Sequence, residues 1–327
     1  MGINSNWLIG ATIVLTSSFS GVAFAQEASG DTEADAGVIV VTALKRSENM
    51  QDIPAAISAL GAEDLASRGI VNIEDLTSAI PSVNFGEHAG TTLISIRGVG
   101  STVDSGVTEP TVATYVDGVF MPRATMGYLR AVDLERIEVL RGPQGTLYGR
   151  NATGGAINFV SAAPTTTLTG GINLSAANRQ QFGISGFISG PLSDTISVRV
   201  SGGHEENDGF VRYLPNRGRN GNTNVDYVRG AIRFEPSTAF SFDLSARYEK
   251  LTGANAYQQL LTPTFLPVPQ SVIPNQIYGN SNYGTRVETL VVAGTMNWDM
   301  TDTLSLKSIT SYVDHKSSVD FDADATD

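Results

Sequence analysis

The sequence predicts two unlike parts: an α+β domain up to about residue 164, then the opening strands of a transmembrane antiparallel β-barrel over residues 165–327. Three observations carry that expectation. The back half alternates apolar and polar residues with period two, the mark of strands with one apolar and one polar face. Its segments run to about ten residues or more, the length a tilted strand needs to cross an outer membrane, where soluble strands average about five or six. The connections between them alternate short and long, as periplasmic turns and external loops do.

Composition narrows the function before any motif is read. A formal net charge of −12 argues against nucleic acid, since phosphate binding needs a basic face. The chain has no cysteine, which removes disulfides, thiolate metal sites and Cys nucleophiles. His88, His204 and His315 lie far apart and make no metal-ligand spacing, so neither a metal site nor a cofactor is expected. No Ser/His/acid order with the chemistry of a nucleophile elbow is present, and no enzyme is expected.

Residues 1–25 read as a secretory signal. The run Trp7–Val14 supplies the apolar core, and Ala23-Phe24-Ala25 is an A-x-A cleavage site before Gln26, although no Lys or Arg precedes the core. The run is too short for a stop-transfer helix, and no other apolar run is long enough. A membrane contact must then be made by a barrel. Residues 26–47 form an acidic, small-residue leader that ends in a β-branched run, Val38-Ile39-Val40-Val41-Thr42-Ala43.

Residues 48–164 form the α+β domain. Helical pieces are expected over Ser58–Leu65 and Asn72–Leu76, each with a capping residue and acids in its first turn. Short strands are expected at Leu93–Arg97, Ala113–Val116, Ile137–Arg141 and Ala156–Phe159. The Gly-rich run Gly142–Gly155 suggests tight turns and close backbone approach. It lacks the GK[ST] of a phosphate loop, and Arg97-Gly98-Val99-Gly100 is an incomplete dinucleotide fingerprint, read as a glycine turn.

In the barrel part, Phe240–Glu249 sets Phe, Phe, Leu, Ala and Tyr against Ser, Asp, Ser, Arg and Glu. Ile196–Ser201, Val228–Phe234, Leu290–Trp298 and Leu304–Lys307 behave alike. Tight connections are expected at Gly190–Asp194, Glu235–Ala239 and Asp299–Asp302, and long ones at Asn207–Asn224 and Thr252–Thr285. Tyr227, Tyr248, Tyr312 and Trp298 fall near strand ends, where an aromatic girdle would sit. Glu205-Glu206 beside His204 reads as a solvated loop start. About seven strands are expected where large plugged transporters have about 22, so the chain reads as a fragment that forms no closed pore.

Several motifs in this order resemble TonB-dependent outer-membrane receptors of the iron-complex type. Val38–Ala43 followed by Lys45-Arg46 resembles the TonB box. Ile96-Arg97-Gly98 and Tyr115-Val116-Asp117-Gly118-Val119 resemble two short plug segments. Leu134–Gly145, which holds Glu135, Arg136, Glu138, Arg141, Gly142 and Pro143, resembles the plug's long signature. Its continuation carries Tyr148, Gly149, Gly154, Gly155 and Asn158. The resemblance implies a plug inside the barrel, a box that binds the periplasmic TonB protein, and no bond chemistry. It implies energised uptake of a scarce ligand such as a ferric siderophore across the bacterial outer membrane. The charge-rich second half of the plug suggests that Arg97 and Arg141 help lock plug to barrel through carboxylates, or else make solvated or local plug pairs; the resemblance places some of those carboxylates beyond residue 327. From the residues alone, Val38–Val41 suits strand addition to a partner's sheet edge, or serves as the plug's first strand. A passive pore or adhesin-like barrel, a periplasmic binding module, and a non-functional truncated receptor stay open as alternatives.

Overall fold

A computed structural model describes residues 11–15, 40–41, 48–49, 55–70, 75–88, 91–101, 109–123, 126, 133–178, 181–209, 211–214, 219–253, 276–278 and 284–320. The front half is built on a five-stranded sheet. Its central strands, Leu134–Arg141 and Gly155–Ser161, are antiparallel. Ile57–Gly61 pairs antiparallel with the first of these, and Val112–Val116 pairs parallel with the second. Val119–Met121 folds back on Val112–Val116 to complete the sheet.

Both faces of this sheet are covered, so its strands read as nearly continuous apolar runs. Val112, Val116, Ile137, Val139, Ile157 and Phe159 feed one core cluster. Ala113, Tyr115, Leu140 and Ala156 feed a second on the opposite face. The first cluster also takes Leu65 from helix Ala62–Ser67, Leu76 from helix Leu76–Ala79, and Val83, Ile94 and Ile96 from a three-stranded sheet. That smaller sheet joins Val83–His88, Thr91–Ile96 and Val99–Gly100.

The front half corrects one expectation. Ser58–Gly61 is strand, not helix, because this segment docks on the edge of Leu134–Arg141 and buries Leu60; only from Ala62 does the helix begin. Its cap, Gly61, makes no side-chain capping bond. Residues 71–74 of the second expected helix lie outside the described residues; Leu76–Ala79 is helical.

From residue 169 onward, seven strands form an antiparallel meander in sequence order: Thr169–Ala177, Gln181–Ser193, Ile196–Asn207, Thr223–Ser237, Phe240–Gly253, Gly284–Thr301 and Leu304–Asp320. They are called here the first to seventh barrel strands. Turns at residues 194–195, 238–239 and 302–303 join them at one end. At the other end, the connections that follow the third and fifth strands meet: Val211–Leu214 pairs antiparallel with Arg219–Asn220 and parallel with Gln276–Tyr278. Among the described residues no pairing joins the seventh strand back to the first.

The apolar segment expected to serve export contributes Ala11–Leu15, a strand paired antiparallel to Leu15↔Ile172 through Ala11↔Ala176 at the edge of the first barrel strand. The proposed cleavage site lies outside the described residues.

The wall is apolar on its outer face and mixed on its inner face, where buried arginines share the alternation with apolar residues such as Val225, Leu251 and Val287. Val200, Val228, Ile232 and Leu244 point outward and are 43–51% exposed, while Arg199, Arg229 and Arg247 on the alternate positions are 6–8% exposed against the front domain. A soluble sandwich would bury the first set and expose the second. The arrangement fits a bilayer outside and a hydrated lumen inside. Cross-strand pairs such as Ile232↔Leu244, Val228↔Tyr248 and Phe234↔Phe242 knit the apolar band together. Tyr248, Tyr312 and Trp298 sit exposed on this face, whereas Tyr227 points into the lumen and is buried, because it falls on the same alternation as Arg229. His204, Glu205 and Glu206 belong to the third barrel strand rather than to a loop.

Candidate functional site at the plug–wall junction

The sequence motifs of the front domain become two kinds of structure. Arg97-Gly98 and Asp117-Gly118 are two-residue turns in which both residues have positive φ (54° and 80°; 51° and 81°). Each joins a short antiparallel hairpin, through Ile96↔Val99 and Val116↔Val119. That is the type I′ geometry, for which Asp-Gly is a favoured pair. The Gly142–Gly155 run is held by main-chain bonds: Gly142 N–H donates to Gly154 O, and Gln144 N–H donates to Ala152 O. A Cβ on Gly155 would lie 2.2 Å from Leu140 O, and one on Gly154 would lie 2.8 Å from Val99 O, so only glycine fits.

The signature strand carries charge into the plug interior. Glu138 is fully buried between Arg136 Nε, which donates to it at 2.7 Å, and Asn158 Nδ2 at 3.1 Å. Asn158 is opposite Glu138 in register, so the two motifs are one pair in space. Arg136 also pairs with Glu135. On the same sheet Tyr115 Oη donates to Tyr148 O at 2.6 Å, and the two rings meet edge-on with centroids 4.9 Å apart. Burial, and then the neighbouring Glu138 carboxylate, raises the Tyr148 phenol well above its ordinary pKa.

The contacts between plug and wall differ from those expected. Arg141 Nη2 donates to Ile57 O at 3.4 Å, within the plug, and its buried Nε has no partner. Arg97 is exposed on its turn. Neither makes an ion pair with the wall among the described residues. The clasp that does form has the opposite polarity. Asp133, on the plug side, accepts from Arg199 Nε at 3.0 and 2.9 Å through its two oxygens and also meets Arg199 Nη2. Arg229 Nη1 stands 3.7 Å from the same carboxylate and donates to Ala162 O at 3.0 Å, while Ala162 N–H donates to Asp133 O. Arg199 further lies 3.9 Å over the Phe187 ring. Plug, connecting segment and two barrel strands are thus tied at one buried carboxylate.

Arg199 and Arg229 were legible as inward-facing residues; Asp133 was not. Its one local signal is a positive φ of 56°, a conformation that Asp tolerates better than most residues. Apolar contact between plug and wall includes a patch where Val291, Ala293 and Val313 pack on the plug core, and Ile309 Cδ1 reaches the Gly118 turn.

Of the segment Val38–Ala43, the described part is Val40–Val41, paired antiparallel with Glu48–Asn49 over two residues, with Val41 buried. His204 bonds Asp226 Oδ1 through Nδ1 at 2.8 Å. No group of three or more His, Cys, Asp or Glu that could hold a metal occurs among the described residues.

An α+β plug wedged against an outward-apolar antiparallel wall is the architecture of plugged outer-membrane receptors, and comparison with known proteins agrees. Residues 49–156 match the family model for the TonB-dependent Receptor Plug Domain. The chain has the plug-then-barrel fold of TonB-dependent receptors, and its place is the outer membrane. Over 212 residues it is 34% identical to the iron-regulated outer membrane virulence protein of Vibrio cholerae, covering 61% of this chain and 32% of that one. It is 36% identical over 172 residues to the pesticin receptor of Yersinia pestis, covering 50% of this chain and 24% of that one. The crystal structure of the ferric yersiniabactin uptake receptor FyuA from Yersinia pestis superposes with a TM-score of 0.73 at 24% identity, over 82% of this chain and 42% of that one. The chain therefore spans about a quarter to a third of the length of these curated relatives.

Proposed function

We propose that these residues are the plug and opening wall of a receptor for TonB-coupled uptake of a scarce ligand, most readily a ferric siderophore. The observation that carries this reading is the lumen-facing polar seam: the plug rests on the wall through charges, above all Asp133 with Arg199 and Arg229, and so blocks the lumen without being glued to it. The iron-related names of the relatives favour an iron chelate, but they belong to those proteins.

In this reading Val38, Ile39, Val40, Val41, Thr42 and Ala43 form the TonB-binding strand. The ladder from Val40–Val41 to Glu48–Asn49 is two residues long, short enough for a partner's sheet edge to replace it. Main-chain pairing lets so short a segment bear a pull. Residues 1–25 serve export and are removed after Ala25, and Arg97 and Arg141 take carboxylates on further wall strands.

The test is iron accumulation from a panel of ferric siderophores in cells that carry this gene and lack their own iron receptors. Accumulation should require TonB and should vanish with Val40→Pro, which removes a ladder N–H. Equal accumulation with and without TonB would leave the passive-pore alternative standing.

A further inference from the structure

The outer face of the wall changes character at a single row. On the fifth barrel strand the outward positions, counted from the short turn, are Phe240, Phe242, Leu244, Ala246 and Tyr248, and the next is Lys250. The third, fourth and sixth strands run the same way. No outward position over Ile196–Gly202, Val228–Phe234 or Leu290–Trp298 carries a charge, and the next positions are His204, Asp226 and Glu288. All four strands are paired on both sides, so none of them is an edge of the sheet. The short turns mark the periplasmic end of an outer-membrane barrel, which puts this row at the external border of the apolar band.

The row is a ladder. His204 faces Asp226, Asp226 faces Lys250, and Lys250 faces Glu288, so basic and acidic residues alternate across four strands. His204 Nδ1 meets Asp226 Oδ1 at 2.8 Å, and Glu288 is bound at 2.6 Å by Arg286 from one row further out. The neighbours along the strands, Val225, Leu251 and Val287, are buried on the inner side, which leaves the ladder on the outer one. Opposite charges at this spacing support one another, so the row is close to balanced. What it brings is a need for water along its whole length, since a charge is costly in hydrocarbon. Strand pairing fixes the rows, so one rung cannot sink without the others. The opposite border is different: it ends in Trp298, Met300 and Leu304, exposed and uncharged. From Met300 to Leu290 the apolar face runs about 33 Å along the strand, which at the usual tilt is about 25 Å of depth. A typical hydrocarbon core is about 30 Å thick.

We infer that the ladder is a depth stop: it seats in the headgroup layer of the external leaflet and matches the wall to a bilayer with a thin hydrocarbon layer. Asp226, Lys250 and Glu288 are its positioning residues, and the partner is the lipid surface itself. The inference goes beyond the uptake reading and holds whatever solute crosses.

The chain has no cysteine, so Val228→Cys supplies a single thiol one row below the ladder, to be labelled with bimane. The full chain is folded into vesicles of dilauroyl, dimyristoyl, dipalmitoleoyl or dioleoyl phosphatidylcholine. Two readings are taken. One is the depth of the label, from quenching by lipids spin-labelled at the headgroup or along the chain. The other is the urea midpoint in each lipid. With the ladder intact, the label should lie just beneath the headgroups in every lipid, and the midpoint should be highest in the thinner bilayers. Asp226→Leu, Lys250→Leu and Glu288→Leu together should let the wall sink by one row, about 5 Å, and should move the highest midpoint to a longer chain. Lys250→Glu keeps a charge at the same level but sets it between two acids. It should lower the midpoint alike in all four lipids and leave both the depth and the preferred lipid unchanged. If the triple Leu variant lowers the midpoint equally in every lipid and its label does not move, the row serves strand pairing alone and the inference is overturned. Should that variant not fold, Lys250→Leu with Glu288→Leu is read in its place, and a label that stays put overturns the inference there too. Neither reading requires transport, so a failure here leaves the uptake reading untouched.

Discussion

The plug sheet and the barrel wall are both β-structure, yet they are turned opposite ways with respect to polarity. In the plug, all five residues of Val112–Val116 are buried, feeding cores on two faces, and the fully buried Glu138 is held by Arg136 and Asn158. In the wall, alternate residues such as Val200, Val228, Ile232 and Leu244 face outward, and the buried positions include Arg199, Arg229, Arg247 and Glu249 together with an apolar trio, Val225, Leu251 and Val287. The plug carries its own water-excluding core; the wall borrows one from the lipid. What lies between them is rich in charge, with apolar contact at Val291, Ala293 and Val313. Opening such a seam uncovers charge and the part of the plug core that meets Val291, Ala293 and Val313, and leaves the rest of that core closed.

The sharpest way to break the comparison is to damage one part and see whether the other follows. Phe159 is 1% exposed in the plug core. Phe159→Ala should cost about 3–5 kcal/mol of plug stability, seen as cleavage of the plug by protease at lower urea, with the heat resistance of the wall on electrophoresis unchanged. A common shift of both would mean that the two cores are one.

Removing the clasp should be nearly as costly but should act on docking rather than on the plug core. Asp133→Ala leaves Arg199 buried without its counter-charge, a loss of about 3–5 kcal/mol. It should appear as separation of plug from wall at lower urea while the plug's own protection persists. The double change Asp133→Leu with Arg199→Leu should recover most of that loss, since exchanging a buried pair for apolar groups is often close to neutral. If the double variant is as weak as the single, packing around Phe187 rather than charge holds the seam.

How much of this was legible in the sequence depends on how local the cause is. Alternation in Phe240–Glu249 or Ile196–Ser201 is a local property, and it gave strand, face and membrane together; the strands merely run on further, to Gly253 and Asn207. The Asp117-Gly118 turn and the glycines at 154 and 155 were legible for the same reason, because backbone geometry limits the residue. Ser58–Gly61 misled because its helix-like acids belong to the next element, and the edge it docks on is some 75 residues away in the chain, at Leu134–Arg141. Tyr227 was placed on the girdle by closeness to a strand end, when its parity with Arg229 already assigned it to the lumen. Asp133 could not be found: the partners of its carboxylate are 66 residues or more along the chain, and nothing beside it in sequence marks it.

The wall itself can be tested at adjacent positions. Ile232 faces the lipid, nearly half exposed in the isolated chain, and Arg233 faces the lumen. Ile232→Arg places a charge on the lipid side near the middle of the band and should cost about 2–4 kcal/mol in urea unfolding from vesicles.

One residue further on, the effect should nearly disappear. Arg233 meets Asp243 with Nε at 2.7 Å and Nη2 at 3.2 Å, directly across the strand pair, and both side chains are about a third exposed. Water reaches this pair, so the attraction is screened and the two side chains gain little by being held. Arg233→Gln should therefore cost about 0–1 kcal/mol in the same vesicles, even though the geometry is bidentate. If Arg233→Gln instead approaches the loss at Ile232→Arg, the seam between plug and wall is dry, and the picture of a hydrated, separable junction gives way to one in which charge is sealed in.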